Sequence, residues 1–305
     1  MEEIQNKYEN SLFHYTNADG LKGILDTNSL WATATYCQND QSEIKYFLSI
    51  LDMTADDDFF RHWKENLIAA FNKKKCGDEF IKTLSNELDC LKHFITSFSI
   101  INDDETYKHG LLSQWRGYGN DGGYAIEFNK KKLITSFESL DIGLNNKAQL
   151  WGEVNYLGPK NESLKEFFKT NIKTVMNDLD IDLNNEFITN SFEIILFEQT
   201  LAYLISIAPF TKNPHFSEEK EFRFYIGTYD DLCCDFTNRN GLIIPYKKLD
   251  FDIISCINRI IIGPSPRSDD RVRSVKALLK SCIEKHELKN INIDVTASNI
   301  PFNRE

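Results

Sequence analysis

The chain has 305 residues, of which 41% are hydrophobic and 27% are charged. This balance, with 22 Phe, 12 Tyr and 4 Trp, is typical of a globular protein and disfavours a disordered chain. The formal net charge of -11 disfavours a broad basic surface for nucleic acid or for anionic membranes.

The cysteines and the N-terminus indicate a reducing compartment. The 7 cysteines include no C-x-x-C pair, and adjacent Cys233 and Cys234 do not suit a common zinc site. The first residues lack the basic start and the apolar core of a signal peptide. The most apolar stretch, Phe192 to Phe210, is interrupted by Glu193 and Glu198, and its uninterrupted part is too short to span a bilayer. We therefore expect a cytoplasmic protein with reduced thiols, no membrane partner and no metal.

The predicted elements begin with a strand over Ser11 to Thr16 and a helix over about 18–25, where Leu21, Ile24 and Leu25 recur at helical spacing. A strand is predicted at 30–35, followed by helices that begin at 39 or 40, at 57 and at 78. Later strands are predicted at 93–101, 122–128, 153–157, 221–226, 242–246, 259–262 and 291–295, with helices between 163 and 208 and at 269–285.

Strands that come in runs, rather than in strict alternation with helices, favour an α+β fold. We expect one domain over residues 1–305, built on a split mixed or antiparallel β-sheet with helices on the outside. The segments at about 40–91 and 163–208 are interpreted as helical insertions into this core.

Two short clusters place polar side chains within apolar strand segments. His14 lies between Phe13 and Tyr15, so alternation puts it on the opposite face of its strand. A histidine at this place is either a ligand-binding residue or a structural one. Ser97 and Ser99 flank Phe98 at the end of a later strand.

Two further clusters combine aromatic and charged residues. Trp115, Arg116 and Tyr118 occupy a glycine-punctuated segment, which predicts either a flat stacking wall or a tight turn with the tryptophan in the core. In the segment FSEEKEFRF, Glu219, Glu221 and Arg223 are predicted to share one face of a strand, with Phe222 and Phe224 on the other. Such a charged face is either an exposed edge or an active site.

Together these segments resemble the bacterial domain-of-unknown-function family 2971. The resemblance runs through LFHYTNADGLKGIL, LWAT, the Asn39-Asp40…Glu43 element, SFS, LSQWRGYG…GGYAIEF, FSEEKEFRF and IIIGPSPR, over about residues 11 to 303. The family looks like a divergent branch of the ADP-ribosyltransferase fold. The resemblance therefore implies an α+β core with an ADP-ribosyltransferase-like split sheet.

The resemblance also implies the chemistry. NAD would be the substrate, no metal would be needed, and the nicotinamide–ribose bond would break. His14 would hold the ribose, and Glu219 or Glu221 would be the catalytic carboxylate, a choice that stays open. The middle catalytic position stays open between Ser99, Trp115 and Tyr118. Tyr15 or Thr16 would add a contact with the ribose, and Trp115 or Tyr118 would stack on the nicotinamide ring. Arg116 would bind the diphosphate. Arg223 would either hold the glutamates ionised or form a structural ion pair.

Several functions remain as alternatives at this stage. The first is mono-ADP-ribosyl transfer to a protein or nucleic acid acceptor, with the toxin or antiphage role that the resemblance implies and an inhibitory partner protein as a further expectation. The second is NAD hydrolysis, in which water is the acceptor and the cell is depleted of NAD. The third is a non-catalytic nucleotide-binding module, and the fourth is a structural interaction protein.

Overall fold

A computed structural model describes residues 8–37, 43–53, 77–118, 123–141, 147–158, 201–229, 234–239 and 241–301. Its strands are β1 (Ser11–Thr16), β2 (Leu30–Ala34), β3 (Lys92–Ser99), β4 (Tyr124–Asn129), β5 (Lys147–Glu153), β6 (Asn155–Tyr156), β7 (Thr211–Lys212), β8 (Glu221–Thr228), β9 (Asp235–Arg239), β10 (Leu242–Leu249), β11 (Ile257–Ile262) and β12 (Asp294–Ala297). Its α-helices are α1 (Ala18–Thr27), α2 (Glu43–Met53), α3 (Gly77–Cys90), α4 (Asp104–His109), α5 (Leu112–Tyr118), α6 (Lys130–Glu138), α7 (201–207) and α8 (Ser268–Lys285).

Ten of these strands form one mixed, mostly antiparallel sheet that branches at β3. One edge of β3 pairs with β8 along its whole length, and β5 follows β8. The other edge pairs with β2, where Thr33 opposes Ile95, and with β1, where Phe13 opposes Ser99. β1 and β2 therefore separate beside residues 96–98, and we call this gap the fork. An α+β fold is confirmed, but the sheet is a single branched one.

The main core lies on one face of the sheet, between the strands and three helices. Leu12, Phe98, Phe128 and Phe224 project from the strands toward the apolar sides of α1, α6 and α8. The predicted stripe of α1 is confirmed, since its three apolar residues are all buried. Burial of this many aromatic rings supplies most of the driving force for this half of the fold.

A second core lies on the opposite face, under α4 and α5. Phe13, Tyr15, Tyr107 and Trp115 form its aromatic part, and the Trp115 side chain is T-shaped against Tyr15 with ring centroids 4.9 Å apart. The segment predicted as a turn is thus the helix α5, and its tryptophan is a core residue. Of the two alternatives predicted for Trp115, a stacking wall or a place in the core, the structure agrees with the core.

A buried charge network stabilises this second core. Glu127 is 2% exposed and accepts hydrogen bonds from the hydroxyls of Ser11 and Tyr107 at 2.8 and 2.5 Å. Arg259 Nε donates to the same carboxylate at 2.7 Å, and its guanidinium lies over the Tyr107 ring. Through these three donors Glu127 joins β4 to β1, α4 and β11 inside the second core.

Several predicted elements shift, and some lie outside the described residues. The helix predicted at 57–75 and the whole of 163–200 fall outside, whereas 201–207 is helical as predicted. β5, β9 and α6 were not predicted. Their sequences mix charged or other polar residues with few apolar ones, so they show no clear apolar period. Within the described part, no helix has the length and apolarity needed to cross a membrane.

Two glycines near Trp115 provide a test of this packing. Gly110 has φ +79° and ψ 167°, and a Cβ there would lie 2.4 Å from the Trp115 ring. We expect Gly110→Ala to destabilise the fold by about 1–3 kcal/mol from backbone strain alone, before the clash is added. Gly117 in α5 has open space around its Cβ position, so Gly117→Ala should be neutral or stabilise by up to about 1 kcal/mol. Urea unfolding of both variants checks this; equal effects would contradict the packing around Trp115.

Candidate active site at the fork of the sheet

A fully buried arginine organises the cluster of charges at the start of β8. Arg223 is 1% exposed, and its Nη1 and Nη2 atoms donate to the two carboxylate oxygens of Glu43 at 2.7 and 2.9 Å. Its Nε donates to Glu221 at 2.5 Å, and Nη1 also donates to the carbonyl of Pro209 at 2.6 Å. Glu43 opens α2, where the helix dipole favours a carboxylate. Arg223 therefore joins three separate parts of the chain.

A buried lysine joins the same carboxylates from the other side. Lys212 Nζ lies 2.6 Å from Glu219, 3.0 Å from Glu221 and 3.2 Å from Glu43. It is held by β7, which pairs in parallel with β6 so that Lys212 lies opposite Tyr156. Burial by itself would lower the pKa of Lys212, but the three carboxylates raise it above its ordinary value. The lysine is therefore a permanent cation in the cluster.

The two carboxylates at the start of β8 have opposite protonation behaviour. Burial raises the pKa of Glu219 to about 7, and a hydrogen bond with Glu221 adds to this effect against the opposing charge of Lys212. Burial acts on Glu221 in the same direction, but Arg223 and Lys212 together hold its pKa down at about 2. Near neutral pH the pair therefore consists of a fixed anion and a neighbour that readily exchanges a proton. Such a pair is typical of acid–base sites.

The raised pKa of Glu219 predicts a dependence of stability on pH. A carboxyl that binds its proton more tightly in the folded state contributes stability at low pH, and that contribution falls as pH rises from about 4.5 to about 7. We expect the melting temperature of the wild type to fall through this window relative to that of Glu219→Gln. Glu218→Gln, at an exposed neighbour, should retain the wild-type profile. Scanning calorimetry at several pH values measures both, and parallel profiles for wild type and Glu219→Gln would contradict the raised pKa.

His14 lies in the fork itself. Its Nδ1 donates to the backbone carbonyl of Ser97 at 2.9 Å. In a continuous sheet, a backbone N–H of the neighbouring strand would donate to this carbonyl instead. Burial lowers the pKa of His14 against the effect of this carbonyl, and the charge of Arg239 lowers it further, so the ring is neutral at pH 7. Because a carbonyl only accepts, the proton of the neutral ring is on Nδ1 and Nε2 is an acceptor. No described residue forms a hydrogen bond to Nε2.

Ser97 connects the histidine to the charged cluster. Alternation along the strands puts His14 on the Phe98 face of the sheet and Glu221 on the opposite face. The Ser97 hydroxyl donates to Glu221 at 3.4 Å, while its carbonyl accepts from His14. The two predicted catalytic residues therefore meet at one residue of β3, at the point where the sheet opens.

The other predicted contacts are distributed around this centre. Ser99 opposes Glu221 across the β3–β8 ladder and is 4% exposed. The Tyr15 hydroxyl accepts from the backbone N–H of Leu111 at 2.7 Å and is buried in the second core. Thr16 is half-buried at the end of β1. Buried Tyr15 therefore has a structural partner, whereas Thr16 lies at the strand end that leads into α1.

The helix α5 places its predicted residues beside the cluster. It packs against the 3-10 helix Pro214–Glu219, and Arg116 on it is exposed. Trp115 is 4% exposed, and its Nε1 donates to the carbonyl of His109 at 2.9 Å. Its ring is enclosed by the second core, so we do not retain it as a stacking surface. Tyr118 ends α5, and its side chain lies outside the described residues.

One prediction about the glutamates is wrong in its local geometry. Glu219 does not lie on the strand with Glu221. It ends a 3-10 helix, and Lys220 follows with φ +43°, which turns the chain into β8. The two carboxylates are brought together by Lys212 and not by strand alternation.

Three functional candidates were missed from sequence alone. Glu43 lies in a segment that carries the family resemblance, but nothing in its local sequence predicts a role for it. Lys212 follows a buried apolar run, and a lone lysine there could have suggested a buried ion pair. Ser97 flanks Phe98 together with Ser99, and only Ser99 is predicted to be a site residue from the sequence. Within the described residues, no group of three or more His, Cys, Asp and Glu is arranged to hold a metal ion.

Comparison with known proteins finds a similarity to one family and no activity. A protein-family model described as "Protein of unknown function (DUF2971)" matches residues 114–224, from α5 into β8. The matched segment includes Glu219, Glu221 and Arg223. No curated protein and no solved structure matches the chain. Residues 114–224 of the chain are therefore similar to this domain-of-unknown-function family.

Proposed function

We propose that the chain binds NAD at the fork, cleaves the nicotinamide–ribose bond and transfers ADP-ribose to a macromolecular acceptor. The observation that carries this proposal is the pair of carboxylates at the start of β8. Glu221 is held ionised while the pKa of Glu219 lies near neutrality, and Ser97 links Glu221 to a neutral His14. The resemblance to ADP-ribosyltransferases supports the same assignment.

Glu221 is assigned to stabilisation of the sugar. As the bond from C1′ to the nicotinamide nitrogen breaks, its electron pair leaves with neutral nicotinamide and positive charge develops on the ribose. A carboxylate fixed before the reaction stabilises that charge without having to reorganise. Lys212, Arg223 and Ser97 all bond to Glu221, so its orientation is set by the fold.

Glu219 is assigned to the acceptor. A hydroxyl, amine or water that attacks C1′ must lose a proton, and a base works best when its pKa lies near the working pH. Glu219 meets this condition, and its side chain is 29% exposed whereas that of Glu221 is 11% exposed. The more accessible carboxylate therefore takes the acceptor's proton, and the more buried one faces the ribose.

The remaining contacts follow from the chemistry of NAD. Nε2 of His14 accepts a hydrogen bond from a ribose hydroxyl, because the ring proton is held at Nδ1 by Ser97. Arg116 on α5 contacts the diphosphate, for which a guanidinium is well suited. The helix α5 packs beside the 3-10 helix that carries Glu219, which supports a diphosphate contact of Arg116 near the carboxylates.

A second candidate, a non-catalytic nucleotide-binding module, is favoured by the saturation of Glu221. Lys212 donates to its Oε1, and Arg223 and Ser97 donate to its Oε2. A carboxylate with this many donors also fits a purely structural role. In that case NAD would bind without loss of nicotinamide, and calorimetric binding of NAD would be measurable with no product.

The acceptor is identified with NAD labelled in the adenosine part. The purified chain is incubated with this NAD and a bacterial lysate, and the products are separated by size and analysed by mass spectrometry. Label on protein or nucleic acid is the expected result. Label only in free ADP-ribose would replace transfer with NAD hydrolysis, and unchanged NAD would favour the binding module.

A further inference from the structure

Within the part of the chain that the structure describes, the strand β9 lies at one end of the sheet. It is the last strand in its arm, where it pairs with β10, and no other described strand pairs with its outer edge. Exposed apolar side chains concentrate here: Phe236 is 63%, Ile243 is 62% and Leu242 is 53% exposed. An unpaired strand edge with exposed apolar side chains is a ready template for another strand.

The sequence of β9 is complementary to itself. Its five residues, DFTNR, carry one negative charge at Asp235 and one positive charge at Arg239, each two residues from Thr237. In an antiparallel pairing of two copies centred on Thr237, each Asp235 therefore lies directly opposite the other copy's Arg239. Both side chains are exposed in the single chain, so both are accessible to such a pairing. We propose that β9 pairs in this register with β9 of a second copy, about a two-fold axis through Thr237.

The two faces of this pairing are consistent with the proposal. Asp235, Thr237 and Arg239 share one face, which acquires two cross-strand ion pairs and a threonine pair. Phe236 lies on the other face, where the second copy's Phe236 is its diagonal neighbour and within reach of an aromatic side chain. Ile243 of β10, opposite Asn238, extends the apolar strip on that face. The interface is isologous, as a two-fold dimer requires.

Neighbouring registers lose this complementarity. A shift of one residue places Asp235 opposite Asn238 and removes both ion pairs. It also puts the charged faces of the two copies on opposite sides of the joined sheet, because side chains alternate along a strand with a period of two. The charges thus select a second copy in one register over an arbitrary peptide strand. This inference rests on β9 and β10 alone and does not depend on the proposed reaction.

Sedimentation equilibrium of the purified chain, over a wide range of concentration, tests the proposal. We expect the wild type to sediment as a dimer that dissociates on dilution. Asp235→Arg and Arg239→Asp each place like charges opposite each other, so each should sediment with half that mass. A far-ultraviolet circular dichroism spectrum like that of the wild type, with a cooperative melting transition, shows that each variant is folded.

An equimolar mixture of the two variants separates this interface from any other. The arginine introduced in one variant then faces the aspartate introduced in the other. The second cross-strand pair of the mixed dimer joins the unchanged Arg239 to the unchanged Asp235, as in the wild type, so the dimer should return. A wild type that stays monomeric, single variants that stay dimeric, or a mixture that stays monomeric would each overturn the proposal.

Discussion

Glu221→Gln is expected to lower nicotinamide release from NAD by roughly 100- to 1,000-fold, the usual cost of removing one preorganised electrostatic group. Glutamine has the shape of glutamate and can still accept from Ser97 and Arg223. It lacks the negative charge that would oppose the positive charge on the ribose. The loss should therefore appear in kcat, with little change in KM for NAD. Release is followed by chromatography of nicotinamide at a fixed pH.

Glu218→Gln is the matched control. It removes an equal charge at an exposed position on the 3-10 helix that precedes β8, so we expect wild-type rates. Melting temperatures of both variants separate catalysis from folding. A folded Glu221→Gln with wild-type kcat would remove Glu221 from the mechanism and leave Glu219 as the remaining carboxylate.

Arg223→Met is expected to destabilise the protein by about 3–5 kcal/mol. The methionine fills a similar volume but leaves the buried carboxylates of Glu43 and Glu221 without their main cation. It also leaves the Pro209 carbonyl without the hydrogen bond from Arg223. Uncompensated buried charge is among the largest effects of a single substitution. Urea unfolding at pH 7 measures the change.

Arg267→Met provides the comparison. Arg267 pairs with Asp270 on the surface, and the two side chains are 78% and 56% exposed. Exposed pairs contribute at most about 1 kcal/mol, so this variant should unfold close to the wild type. Equal losses in the two variants would mean that Arg223 does not organise the charge cluster.

Local patterns in the sequence predict much of the secondary structure. β1 has the predicted bounds, and α1 and α8 extend the predicted helices by one or two residues, because capping residues and apolar spacing are local signals. α5 was missed because its seven residues include a glycine and too few apolar positions to show a helical period. The short 3-10 helix that carries Glu219 was missed because its six residues are too few to show a period.

The candidate site was predictable only in part. His14, Glu219, Glu221 and Arg223 could be chosen because they interrupt apolar strand segments. Glu43 could not, since it is 180 residues from its partner Arg223, and only the tertiary structure brings them together. Lys212 changes the interpretation most, because it links Glu219 and Glu221 to each other and to Glu43.

Release of nicotinamide from NAD by the purified wild-type chain, with lysate present to supply acceptors, tests the central claim most directly. We predict release that rises with enzyme concentration and is lost in Glu221→Gln. A wild type that is folded by calorimetry and releases no nicotinamide under these conditions would contradict the proposed activity.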